Sequence, residues 1–178
     1  MKRITMLVTV ALMLAAAMAL SGVAQAAPIS GKADAQCAKL AIQTLDSSYN
    51  PSNYTFHGGT AGRDIFTATD GQSEVFCGFG GDDEIDILQA GDIFLGGDGN
   101  DYVLGNLGTF YGGDGNDSVV SNYGTYNGGD GNDSAFRNEG TFNGEAGDDL
   151  IYYNFGTFNG GAGDDSVTVL NSGTFNQD

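Results

Sequence analysis

From Gly59 onward the chain repeats one short unit, and that repeat constrains the fold more than any other feature. The sextets GTAGRD, GFGGDD, three copies of GGDGND, GEAGDD and GGAGDD start at residues 59, 78, 96, 112, 128, 144 and 160. Positions one and four are always Gly, and position six is always Asp. Position eight is always apolar: Phe66, Ile85, Val103, Val119, Ala135, Ile151 and Val167. A unit of 16 to 19 residues cannot bury an apolar face by itself, so its copies must stack on one another.

The second half of the unit is regular too, reading NLGTF, NYGTY, NEGTF, NFGTF and NSGTF from Asn106 on. Each unit divides into a six-residue turn, a short strand, a four-residue turn and a second short strand, as in Gly96–Asp101, Tyr102–Leu104, Gly105–Gly108 and Thr109–Tyr111. Two strands and two turns per coil predict an all-β fold, a right-handed parallel β-roll or β-solenoid of about seven coils with two facing sheets. Its core sets the position-eight column against Phe110, Tyr126, Phe142, Phe158 and Phe175. Leu104, Val120, Phe136 and Tyr152 at position nine face outward in one register and inward in the next.

Upstream of the repeats the chain changes character twice. Residues 1–26 have a basic start at Lys2 and Arg3, an apolar run from Leu7 to Leu20, and the small-x-small pattern Ala24-Gln25-Ala26. That is the pattern of a secretory signal cleaved near Ala26, and its apolar run is shorter than the ~20 residues a membrane span needs. The expected product is secreted, extracellular or in the cell envelope, with no membrane span in the mature form. Residues 27–58 show no period and read as an N-terminal cap or spacer, with one short helix over Ala33 to Leu45 that places Cys37, Leu40, Ala41 and Leu45 on one side. After export, Cys37 and Cys77 meet an oxidising setting, so a disulfide between them is expected; neither has zinc-site spacing.

Charge narrows the partners. The sequence holds 23 Asp and Glu against 6 Lys and Arg, a net charge of -17. Such a surface is unsuited to nucleic acid, whose phosphates require clustered basic residues. Stacking would set the position-six aspartates, Asp64, Asp83, Asp101, Asp117, Asp133, Asp149 and Asp165, into a ladder of carboxylates ~4.8 Å apart. Adjacent rungs would repel by roughly 3 kcal/mol at an effective dielectric near 20. Calcium suits such a ladder, being a hard ion that takes 6–8 oxygens. The remaining oxygens are expected from the backbone carbonyls of Gly78, Gly81, Gly96, Gly99, Gly112, Gly115, Gly128, Gly131, Gly144, Gly147, Gly160 and Gly163, where no Cβ blocks an inward curl. Six gaps between seven rungs predict about six Ca2+ ions.

The stretch FCGFGGDDEI and the GGDGND turns resemble the G-G-x-G-x-D-x-U-x nonapeptides of RTX (haemolysin-type) calcium-binding repeats. The resemblance covers residues 59–178 and implies a calcium-loaded parallel β-roll. Family coils usually pair two nonapeptides with ions along both edges, whereas here the second turn is N-x-G-T, without an acid. A single file of ions is therefore expected, with Asp70-Gly71 and Gly91-Asp92 as relics able to hold one additional weak ion.

No nucleophile motif or phosphate loop is present, and the lone histidine, His57, reads as a turn residue, so no enzyme is expected. Three readings follow. The first is a secreted structural or cell-surface calcium-binding module. The second is an adhesive or self-associating matrix protein, pairing side by side through the position-nine stripe or end to end through an open C-terminal edge. The third is an ice-binding solenoid that uses Thr109, Thr125, Thr141, Thr157 and Thr174 with Asn106, Asn122, Asn138, Asn154 and Asn171 beside them.

Overall fold

The computed structural model describes residues 31–45 and 49–177, so the export signal expected over residues 1–26 lies outside the described residues. Helix α1 (Lys32–Thr44) comes first, followed by a 3-10 turn at Pro51–Asn53. Fifteen strands then alternate between two parallel sheets. One sheet has eight strands: β1 (Thr55–Gly58), β3 (Glu74–Gly80), β5 (Ile93–Asp98), β7 (Thr109–Asp114), β9 (Thr125–Asp130), β11 (Thr141–Ala146), β13 (Thr157–Ala162) and β15 (Thr174–Asn176). The other has seven: β2 (Ile65–Phe66), β4 (Glu84–Leu88), β6 (Tyr102–Asn106), β8 (Ser118–Asn122), β10 (Ser134–Asn138), β12 (Leu150–Asn154) and β14 (Ser166–Asn171). The fold is a β-solenoid of about eight turns with one short helix near the N-terminus.

The repeat fixes the register. Phe94 pairs with Phe110, Phe110 with Tyr126, Tyr126 with Phe142, Phe142 with Phe158 and Phe158 with Phe175. Their rings stack nearly parallel with centroids 4.4 to 5.1 Å apart, close to the ~4.8 Å strand spacing. Ile85, Val103, Val119, Ala135 and Ile151 face them from the other sheet and are fully or almost fully buried. The position-eight and aromatic columns are therefore the core, as their periodicity indicated.

Three boundaries differ from the sequence reading. From Gly78 on, strands run through the first three residues of each glycine sextet, as where Gly97 pairs with Gly113 and Asp98 with Asp114 in the ladder. The turn after them shrinks to Gly99–Asp101. The solenoid begins at Thr55, inside the presumed spacer, since β1 pairs with β3 in register. His57 consequently lies in a strand rather than a turn, with its ring stacked 4.8 Å from Phe76.

Helix α1 covers a side of the solenoid. Its buried Cys37, Ala38 and Ala41 pack on the outer face of the eight-stranded sheet, against Phe56, Val75, Cys77, Ile93 and Leu95. The Cys37–Cys77 disulfide, with Cα atoms 5.5 Å apart, fastens the helix there. By closing a loop across a sequence separation of 40, it contributes about 4 kcal/mol in the chain-entropy view. The outward columns change where that cover ends: Ile93 gives way to Thr109 and Thr125, and Leu95 to Tyr111 and Asn127. Where the helix protects the sheet the outward residues are apolar, and beyond it they are chiefly Thr and Asn.

Candidate metal centre

Each position-six aspartate sits at a corner where a turn meets a strand of the seven-stranded sheet. From Asp83 to Asp165 their side chains are buried. One oxygen of each is used structurally. The backbone N–H of Asp64 donates to Asp83 Oδ1 at 2.7 Å, and the same bond recurs from Asp83 to Asp101, Asp101 to Asp117, Asp117 to Asp133, Asp133 to Asp149 and Asp149 to Asp165. The aspartates thus sew one coil to the next.

The second oxygen is the unusual one. Oδ2 of Asp83, Asp101, Asp117, Asp133, Asp149 and Asp165 is buried and has no hydrogen-bond partner. Six orphaned carboxylate oxygens in one column form a strong electrostatic demand, because an ionised carboxylate only accepts and is costly to leave unpaired away from water. Burial, reinforced by neighbouring carboxylates, pushes the carboxyls of Asp83 and Asp133 up to about 6, those of Asp101 and Asp149 to about 7, and that of Asp117 to about 8. The backbone N–H that each accepts pulls the other way without prevailing.

Position-one glycines build the cradle. A Cβ on Gly78, Gly96, Gly112, Gly128, Gly144 or Gly160 would overlap Oδ2 of the aspartate five residues on. For Gly96 that point is also 2.6 Å from the Gly112 carbonyl oxygen of the next coil, and for Gly128 it is 2.7 Å from that of Gly144. Carboxylate and carbonyl oxygens, both acceptors, converge on a space that only glycine leaves open. A hard cation supplies the positive charge that this arrangement lacks, so the residues fit one. Among the described residues no group of three or more His, Cys, Asp or Glu side chains is placed to hold a metal. An ion here would draw on carboxylates one rung at a time and fill its shell from backbone carbonyls and water.

The structure sorts the expected ligands. Carbonyls of position-one glycines come together with the aspartates, whereas those of Gly81, Gly99, Gly115, Gly131 and Gly147 abut the α-carbon of the next position-four glycine. Asp64 stands apart: its Oδ2 accepts the Thr60 N–H at 2.6 Å and the Thr60 hydroxyl at 3.0 Å. At position five, Asn100, Asn116, Asn132 and Asp148 each accept a backbone N–H from the following coil and serve the turns. The relic at Asp92 has no spare oxygen, since Oδ1 accepts the Glu74 N–H and Oδ2 the Gln89 N–H. His57 Nε2 lies 2.8 Å from Glu74 Oε1 beside it.

The opposite interior corner carries amides. Nδ2 of Asn106, Asn122, Asn138 and Asn154 donates to Oδ1 of the next asparagine, the last being Asn171, at 2.7 to 2.9 Å. Each also donates to the carbonyl of Thr125, Thr141, Thr157 or Thr174. Asn106, Asn122, Asn138 and Asn154 are fully buried, so they cannot stand beside the threonines on an exposed rank. That corrects the surface on which the ice-binding reading relied. The position-nine stripe, in contrast, faces outward, with Leu104 41% and Phe136 51% exposed.

Sequence reasoning missed two groups near the ladder. Tyr126 is fully buried within the aromatic stack, and its hydroxyl has no hydrogen-bond partner. Glu145 occupies a left-handed backbone conformation with φ 80. Tyr126 was visible as the one hydroxyl-bearing ring between Phe94 and Phe175, and Glu145 as a non-glycine residue at position two, like Thr60 and Phe79.

Comparisons with protein-family models, with curated proteins and with solved structures found no match.

Proposed function

We propose that this chain is a calcium-binding solenoid module, built as the RTX-like turns suggest, with a single file of about six Ca2+ along one interior corner. The observation that carries the reading is the column of six buried Oδ2 atoms without a donor. Asp83, Asp101, Asp117, Asp133, Asp149 and Asp165 would hold the ions, with the position-one carbonyls of Gly96, Gly112, Gly128, Gly144 and Gly160. Asp64 is withdrawn from the set by Thr60. A bound ion supplies positive charge where neighbouring rungs repel, and so couples calcium to folding.

The export signal read in residues 1–26 gives that coupling a use. A chain short of calcium before export carries the repulsion, and one that meets millimolar calcium outside is relieved of it. At calcium ten times the dissociation constant, each site contributes about 1.4 kcal/mol, and six contribute about 8 kcal/mol. That rivals the whole stability of an ordinary domain. A secreted structural or cell-surface role follows from such a device.

Calcium titration of the purified full chain, read by circular dichroism and by ion counting at equilibrium, tests the proposal. Cooperative gain of β signal with about six ions bound is the expected result. A fully folded protein in chelator that takes up no calcium would falsify it. A second reading, lateral self-association, is favoured by the outward stripe of Leu104, Phe136 and Tyr152. Sedimentation across a concentration series tests that reading independently.

A further inference from the structure

The outer face of the eight-stranded sheet changes chemistry where α1 stops covering it. Its outward columns continue from Ile93 and Leu95 as two ranks, one of threonines from Thr109 to Thr174, the other from Tyr111 through asparagines to Asn176. The adjoining outward column holds glycine at Gly113, Gly129 and Gly161, with Glu145 as its one charged member. In a chain of net charge -17, so sparsely charged a face is unsuited to an ionic partner and open to a neutral one.

Two hollows lie on these ranks. The first, of about 290 Å³, is lined by Tyr49, Asn50, Asn53, Tyr54, Thr109 and Tyr111. Its Tyr49 and Tyr54 rings have centroids 5.0 Å apart, and the Tyr49 hydroxyl is buried with no hydrogen-bond partner. Among the described residues no charged side chain lines it. The second, of about 300 Å³, is lined by Asn143, Asn159 and Asn176 with Gly160, Gly161 and Glu145. Both sit at the small end of the roughly 300–1,000 Å³ of ligand pockets, so each suits one unit of a longer molecule. Thr109 and Tyr111 begin the ranks and Asn176 ends one of them, so hollows and ranks form one track. It spans the four steps from β7 to β15, about 19 Å at the usual strand spacing.

Hydrogen bonds within the track define what it can still bind. Nδ2 of Asn143, Asn159 and Asn176 donates to Oδ1 of the asparagine one coil earlier at 2.7 to 2.8 Å. These bonds fix the amides in place, and Asn143 and Asn159 each keep a second N–H and a second lone pair for a partner. A hydroxyl both donates and accepts, so a row of hydroxyls matches such a rank. The tyrosine rings of the first hollow add flat apolar faces with polar tips, which take the C–H face of a sugar ring. Fixed amides lose little freedom on binding. A second copy of this chain would bring its own charge of -17 to the face, and a water lattice has no apolar surface to lay on the tyrosines.

We infer that this face is a binding track for a neutral polysaccharide, held by ring stacking in the tyrosine hollow and by hydroxyl–amide bonds along the asparagine rank. The inference goes beyond the calcium reading and does not rest on it, because the track uses none of the aspartates of the ladder.

An array of neutral glucan, mannan, galactan and chitin oligosaccharides of increasing length, probed with the labelled full chain in millimolar CaCl2, tests it. The wild type should bind at least one of these classes, more tightly as the oligosaccharide lengthens toward the span of the track. Tyr111→Asn installs the residue that later coils use and should weaken binding about tenfold. Thr141→Arg sets a bulky side chain in the middle of the track and should abolish binding. Both positions are partly exposed, and circular dichroism should match wild type. Phe136→Ser, on the outer face of the other sheet, should change nothing. A folded wild type that binds no neutral glycan, or equal binding by wild type, Tyr111→Asn and Thr141→Arg, overturns the track. Thermal hysteresis or self-association in sedimentation that Thr141→Arg removes, with no glycan bound, also overturns it and assigns the face to ice or to a second copy. Glycan binding by a chain that takes up no calcium would sink the calcium reading and leave the track standing.

Discussion

Two polar columns run through this solenoid at opposite corners, each buried and each repeated every coil, and they differ by one functional group. In the asparagine column every side chain is both donor and acceptor, so Asn106 to Asn171 forms a linear chain of hydrogen bonds in which each Nδ2 donates to the next Oδ1. In the aspartate column every side chain only accepts. From Asp83 to Asp165 backbone N–H groups satisfy Oδ1, and no group among the described residues satisfies Oδ2. The amide ladder is complete as a fold, whereas the carboxylate ladder is complete only with protons or cations from outside. The amide column even shows what an open end costs, since Asn106 Oδ1 faces the column's apolar predecessor Leu88 and is left unpartnered.

The largest effect should come from changing what completes the carboxylates. Without calcium, carboxyls raised from 3.8 to about 6, 7 or 8 bind protons in the folded state that the unfolded chain has already released. Stability in chelator should therefore be highest near pH 4 and fall as pH rises through about 6 to 8. With calcium present the slope should reverse over that window, because protons then compete with the ions. Thermal melts at several pH values, with and without calcium, would read this; parallel slopes in the two series would refute it.

Carrying the carboxylate to the other corner comes next. Asn122→Asp would keep the bond from Asn106 but would set its second oxygen against Asn138 Oδ1 and the Thr141 carbonyl, both acceptors. A loss of about 3 kcal/mol is expected for an uncompensated buried charge, measured by denaturant unfolding. Calcium should not rescue it, for that corner has no glycine cradle. Rescue by calcium would show that any buried acid column in this fold recruits ions.

The converse exchange should be milder and change sign with conditions. Asp117→Asn removes a charge from the most strongly shifted rung. In chelator it should stabilise the protein by about 1 kcal/mol, and in saturating calcium it should destabilise it by a similar amount through one lost ligand. An effect of the same sign in both conditions would break the contrast between the two columns.

Much of this was legible in the sequence, for a physical reason. A stacked coil forces every residue of a column into one environment, so columns of Asp, Gly, Phe and branched residues report burial directly. What escaped were features that a column does not encode. The position of Asn106 and its successors depends on whether a turn residue points in or out, and a four-residue turn was expected where strands β6 and β7 leave only two residues between them. The lateral seat of α1 depends on which outward columns are apolar, a clue present in Val75, Ile93 and Leu95 but readable only once the register was known. Tyr126 and Glu145 were hidden by the regularity itself, because they are exceptions to it.

The clasp formed by α1 and the Cys37–Cys77 bond gives the molecule a mechanical polarity. Among the described residues its cluster reaches β1, β3 and β5 and, at its edge, Tyr111 of β7, while the coils beyond are held by the coils next to them. Under a pulling force the coils furthest from the clasp must peel first, one at a time, and the clasped root must yield last. Coils that have peeled can re-dock only onto a surviving neighbour, so the root doubles as the template from which the stack is rebuilt.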